Sequence, residues 1–142
     1  MFAQLMAVAG LVGFGGMVLL GPSPVSGPLQ EAAVPVEVNV TCTGTRVEFS
    51  IDPWIVRLNQ GDQVEWILNT NADAEEIEIT PKRGRWPFAQ QSHRGNKQDR
   101  ARAANMRANQ QGQRFQYNIT LTCQPEGQDP YEVVIDPDII IN

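Results

Sequence analysis

The stretch from Ile51 to Asn69, IDPWIVRLNQGDQVEWILN, narrows the fold more than any other part of this 142-residue chain. It holds two short apolar-alternating runs, Trp54, Val56 and Leu58 and then Val64, Trp66 and Leu68. Period-two alternation with aromatic and β-branched residues predicts strands with one buried face. Between the runs lies Asn59-Gln60-Gly61-Asp62, a turn cluster in which Gly61 takes positive φ at no steric cost. Pro53 opens the first run, where its missing N–H removes no ladder bond. The expectation is a strand–turn–strand unit that sets two tryptophans, Trp54 and Trp66, in a core.

The same alternation recurs along the chain. Strands are expected at about 34–42, 46–51, 75–80, 114–123, 131–135 and 138–141, with turns at Thr43-Gly44-Thr45 and Gln124–Asp129 and a break at Asp136-Pro137. Counted with the central pair, these make seven or eight strands of an antiparallel sandwich in one domain. The pattern stops between Pro81 and Gln113. Within that excursion residues 99–109 are rich in Ala and Arg, with Asp99 near the start and Gly112 beyond the end, which predicts one short helix. Val34, Val36, Val38, Val40 and Cys42 share one strand face, and Phe115, Tyr117, Ile119, Leu121 and Cys123 share another. Both cysteines thus end core-facing rows, and they are expected to pair as a disulfide, free buried thiols being the alternative.

The central wording, P-x-x-x-x-x-x-x-G-D-x-V-x-W-x-x-N, is carried by Pro53, Gly61, Asp62, Val64, Trp66 and Asn69. It resembles the signature of the cupredoxins, the plastocyanin- and azurin-like Greek-key β-sandwiches. The resemblance extends over residues 34–142 and implies an all-β fold with a long, often helical excursion where 81–113 lies. It also raises the question of copper, which in such sites takes two imidazoles, a thiolate and a weak axial Met. The only histidine is His93, inside the excursion. Where the family's first histidine ligand falls, this chain reads Asn71-Ala72-Asp73-Ala74-Glu75; after Cys123 it reads Gln124-Pro125-Glu126-Gly127-Gln128. Met1, Met6, Met17 and Met106 all lie away from that loop. No copper site and no other cofactor is expected.

Residues 1–20 are apolar apart from Gln4 and several glycines, and as a helix they would be about 30 Å long, enough to cross a bilayer. Two readings stand, a cleaved secretory signal and a retained anchor. No Lys or Arg precedes the run, the first being Arg46, and Pro22, Pro24 and Pro28 crowd the cleavage region. Ala3, Ala7, Ala9, Gly10 and Gly13 include the small-residue spacing that lets membrane helices pack closely. Residues 21–33 form a Pro/Gly/Ser linker. Either reading exports the domain to the periplasmic or extracellular face.

Charge is sharply segregated. Between positions 82 and 114 lie nine of the eleven basic residues against Asp99 alone, leaving +8; the remainder has two basic and fifteen acidic residues, −13. The candidate binding surface for an anionic partner is Lys82, Arg83, Arg85, Arg94, Lys97, Arg100, Arg102 and Arg107, with Trp86 and Phe88 as amphipathic anchors. Acidic lipid headgroups or a partner's acidic patch would suit it, and the competing reading folds the arm back on the chain's own acidic body. Nucleic acid is not expected for an exported acidic protein. Nor is catalysis: the lone His93 reads as a solvated loop residue, and Asp73 with Glu75 lacks any calcium-loop motif. Asn39-Val40-Thr41 and Asn118-Ile119-Thr120 match the glycosylation sequon. The functional expectation is a non-catalytic, membrane-tethered interaction or scaffold subunit of an envelope membrane complex. An electron-transfer complex would be the setting the resemblance implies. A soluble periplasmic carrier of a small ligand or metal is the second expectation.

Overall fold

A computed structural model describes residues 33–142; the apolar segment 1–20 and nearly all of the 21–33 linker lie outside the described residues. Ten strands make two sheets. In the first, β1 (Ala33–Thr43) lies between β2 (Arg46–Asp52) and β4 (Gln63–Leu68), and β7 (Ala101–Ala103) flanks β4. In the second, β8 (Arg114–Cys123) is central. β5 (Ala74–Pro81) and then β6 (His93–Asn96) flank β8 on one side. β10 (Asp138–Ile141), then β3 (Ile55–Leu58), lie on the other, and β9 (Tyr131–Ile135) also pairs with β8. The fold is all-β and sandwich-like, as the alternation predicted.

Three expectations need correcting. The sheets are mixed, because β1 runs parallel to β4 and β10 parallel to β3. A chain that passes from β2 to β3 across the Asp52–Pro53 peptide changes sheet without reversing direction, so consecutive strands need not be antiparallel neighbours. The described residues contain no helix, hence none long and apolar enough to cross a membrane. Ala101 and Ala103 instead face inward at period two in β7, with Trp66 opposite Ala101. Finally Trp54 is 43% exposed, while Val56 and Leu58 of the same run are buried. It precedes β3, at the point where the chain changes sheet.

The core is built from the faces the alternation marked. Val36, Val38, Val40 and Cys42 of β1 face Phe115, Tyr117, Ile119, Leu121 and Cys123 of β8, all buried. The Cys42–Cys123 disulfide ties the two rows together across a sequence separation of 81. Closing a loop of that size stabilises by roughly 4 kcal/mol in the chain-entropy account. Gly61 has φ of 97°, and the turn around it is closed by Asp62 Oδ2, which accepts the Asn59 N–H at 2.8 Å. Trp66 is fully buried, and its indole N–H donates to the Tyr117 hydroxyl at 3.1 Å. Trp66→Ala should therefore lower stability by about 3–5 kcal/mol in denaturant unfolding. A loss under about 1 kcal/mol would contradict this packing.

Candidate functional site

The excursion between β5 and β8 is pinned to both sheets, through β6 on β5 and β7 on β4. Trp86 and Phe88 turn inward, 2% and 0% exposed, so neither serves as the surface anchor expected of it. Trp86, Pro87 and Phe88 go inward together while Arg85 stays exposed, because large aromatics gain most from burial. β6 then pairs with β5, setting His93 opposite Ile79. A tight turn follows, in which Asn96 Oδ1 accepts the N–H groups of Gln98 and Asp99 at 2.8 and 2.7 Å. Gly95 allows it, because a Cβ there would lie 2.4 Å from the Ala101 nitrogen. The chain emerges as β7 on the other sheet. One segment thus joins an edge of each sheet.

His93 is the second correction. It is buried, not solvated, and sits among Trp66, Trp86 and Phe88 with ring centroids 6.1–6.2 Å away. Its Nε2 accepts the Trp86 indole N–H at 3.2 Å. Nδ1 makes no hydrogen bond of full geometry, although backbone groups of Arg102 and Gln90 lie close enough to favour the protonated ring. Burial is the larger influence and holds the pKa below its ordinary 6.5. The same burial pushes the Tyr117 phenol up.

Six of the nine basic residues between 82 and 114 pair with carboxylates outside that segment. Lys82 meets Asp136, Arg94 meets Glu78, Lys97 meets Glu75, and Arg114 meets Asp138. Arg100 and Arg102 both reach Glu65, whose side chain is only 6% exposed, Arg100 at 2.7 Å. The Arg100 and then the Arg102 hydrogen bonds hold the Glu65 carboxyl below its ordinary pKa. Self-complementarity therefore accounts for most of the segregated charge. Because the side chains of Arg94, Arg100, Arg102 and Arg114 stay 58–76% exposed, each pair is screened and contributes little by itself.

Among the described residues Arg83, Arg85 and Arg107 make no ion pair. Arg83 and Arg85 join Arg114, Phe115 and Gln116 around a surface groove of about 450 Å³. Arg85 donates to Gln113 Oε1 at 2.6 Å, and Arg114 to Asp138 Oδ2 at 2.6 Å. Gly84 between the two arginines has φ of 69°, and the Lys82 N–H bonds the Gln116 carbonyl at 3.1 Å, so the start of this loop is fixed to β8. Three guanidiniums against one carboxylate give the groove a net positive field that suits a carboxylate- or phosphate-bearing surface. Arg107 lies elsewhere, beside the Gln60 turn, where the Gln60 side chain donates to its carbonyl at 2.7 Å.

The donor set does not fit copper. Both thiols are joined to each other, and the only imidazole already bonds Trp86 inside the aromatic cluster. Among the described residues no three His, Cys, Asp or Glu side chains are grouped to hold a metal ion. Asp73 and Glu75 are likewise engaged, Asp73 by the Cys42 N–H at 2.8 Å and Glu75 by Lys97 at 2.9 Å. No family model matches the chain, and no curated protein matches it.

Two outcomes follow from this geometry. The unfolded ring of His93 takes its proton near pH 6.5 and the folded ring only below that. Stability is accordingly complete above the ordinary pKa and falls as pH drops below it toward the depressed value. Urea unfolding between pH 7.5 and 5 should show this loss, and His93→Gln, which keeps an acceptor for Trp86, should remove it. Titration with Cu(II) should give no stoichiometric binding and no thiolate-to-copper absorption. One-to-one binding abolished in Cys123→Ser would overturn that assignment.

Proposed function

We propose that this chain is a non-catalytic, exported interaction or scaffold subunit of an envelope membrane complex, with a Greek-key domain of cupredoxin type that lacks copper. The observation that carries the reading is the groove of Arg83, Arg85 and Arg114: two of the basic residues left without a carboxylate, Arg83 and Arg85, come together there. Residues with catalytic potential are committed to the fold instead, the cysteines to a cross-sheet bond and His93 to the aromatic cluster. The cupredoxin assignment draws support from how the fold uses the signature. Gly61 supplies the positive φ, Asp62 closes the turn, and Val64 and Trp66 are fully buried. Asn69 Oδ1 accepts the Asn71 N–H at 2.8 Å, and Pro53 marks the change of sheet.

In this reading residues 1–20 hold the chain at a membrane and the linker lets the sandwich lie across a partner's exported face, the weak groove contact gaining from the tether's effective concentration. The partner surface is acidic, and an electron-transfer complex is the setting suggested by the resemblance alone. The test begins with purification of the full chain from membranes in mild detergent and identification of what accompanies it. Arg83→Gln with Arg85→Gln should then lower retention over a salt series, each charge contributing about 0.2–1 kcal/mol. Unchanged retention, together with recovery of the parent chain in the soluble fraction, would favour the soluble-carrier reading instead.

A further inference from the structure

The two edges of the first sheet are treated very differently. β7 is three residues long and carries Arg102 outward, a short and charged edge of the kind that discourages pairing. β2 is seven residues long and in unbroken register with β1 from Arg46 to Asp52. It contains no Pro and no Lys, and among the described residues its far side pairs with nothing. Its inward row is also left partly uncovered. Val47 and Ile51 are half-buried, and Phe49 is 48% exposed although its β1 neighbour Val40 is buried. Trp54, 43% exposed, stacks on Phe49 with centroids 6.3 Å apart.

The sequence of this edge, R-V-E-F-S-I-D, complements itself when reversed. Placed antiparallel with Phe49 on a twofold axis, Arg46 stands opposite Asp52, Val47 opposite Ile51 and Glu48 opposite Ser50. Arg46, Glu48, Ser50 and Asp52 share the outer face, so the two opposite-charge pairs form there, and the apolar pairs form on the inner one. Sliding by two residues in one direction sets Glu48 against Glu48, and in the other sets Glu48 against Asp52. Sliding by one turns the apolar row to the wrong face. Of the registers that keep five or more residues paired, this one alone satisfies both faces.

We propose that β2 is a homodimer interface, at which a second copy of this chain adds its own β2 antiparallel and continues the sheet across a twofold axis. Such an isologous contact satisfies the free backbone groups of both edges and brings Phe49 and Trp54 of the two copies into one aromatic cluster. The exposed Arg46–Glu48 pair within one strand gives way to Arg46–Asp52 pairs between copies. This goes beyond the proposed role in a complex and does not depend on it.

The test is sedimentation of the full chain in mild non-ionic detergent at low salt over a concentration series. The parent should be dimeric. Arg46→Asp replaces two attractive pairs with two repulsive ones and should raise the dissociation constant on the order of tenfold. Adding Asp52→Arg should restore it to within about threefold. Phe49→Cys, at the exposed twofold position, should give a disulfide-linked dimer on a non-reducing gel whether or not the Asp52 variant folds; the native cysteines are already joined within one chain. A monomeric parent would overturn the proposal and leave the edge to the chain's own N-terminal segment. A dimer indifferent to Arg46→Asp would overturn it in favour of association through residues 1–20. Absence of the Phe49→Cys crosslink would overturn it as well.

Discussion

The hydrogen bond from the Trp66 indole to the Tyr117 hydroxyl crosses from one sheet to the other at the centre of the sandwich. It gives each ring's polar atom a partner where both are cut off from water, which is the condition for burying such rings without a desolvation cost. Tyr117 also packs edge-on to Trp66 and beside Trp86, and Trp86 in turn bonds His93. Four of these five core rings, counting Phe88, are held by residues on β4, β6 and the excursion, and Tyr117 alone comes from β8. The position of the excursion and the packing of the sandwich are thus one problem. Displacing residues 86–93 would take His93 from Trp66 and Trp86 from Tyr117.

How much of this was legible in the sequence depends on how local the deciding interaction is. Strands β1, β3, β4, β5 and β8 were readable because their alternation and their turns lie within a few residues of one another. The disulfide was readable because two separate rows each ended in a cysteine. The excursion was not. Alanine and arginine at 99–109 favour a helix on intrinsic preference, by a few tenths of a kcal/mol per residue. Pairing with β4 overrides it, since Ala101 and Ala103 fill space beside Trp66 and Arg102 meets Glu65 across the strands. Nothing near residue 100 reports that Glu65 is waiting there. A period-two reading of A-R-A would have found the strand.

Glu65 also shows why segregated charge misleads as a guide to partners. Read along the chain, +8 beside −13 looks like an arm seeking an external anion. In three dimensions the arm and the body form a ladder, with Glu75 and Glu78 on β5 facing Lys97 and Arg94, and Glu65 facing Arg100 and Arg102. Each exposed pair is weak, yet together they set where the excursion lies along two sheet edges, which selects its register more than it stabilises it. What survives for recognition is Arg83 and Arg85 in their loop next to Arg114, with Arg107 apart from them.

The excursion's geometry explains the asymmetry of the first sheet as well. By wrapping from β6 to β7 it shortens one edge to three residues, surrounds it with arginine and closes the gap between the sheets on that side. No segment of the described chain does the same at β2, whose neighbour on the other sheet's border, β3, is reached through an abrupt change of sheet at Pro53. That change carries Ile55–Leu58 away to pair with β10, so Phe49 and Trp54 lose the cover a continuing strand would supply. The open edge is therefore a consequence of how the chain crosses between sheets. A domain built this way has one side finished by its own charges and one side whose backbone and aromatic groups remain to be completed from outside the described residues.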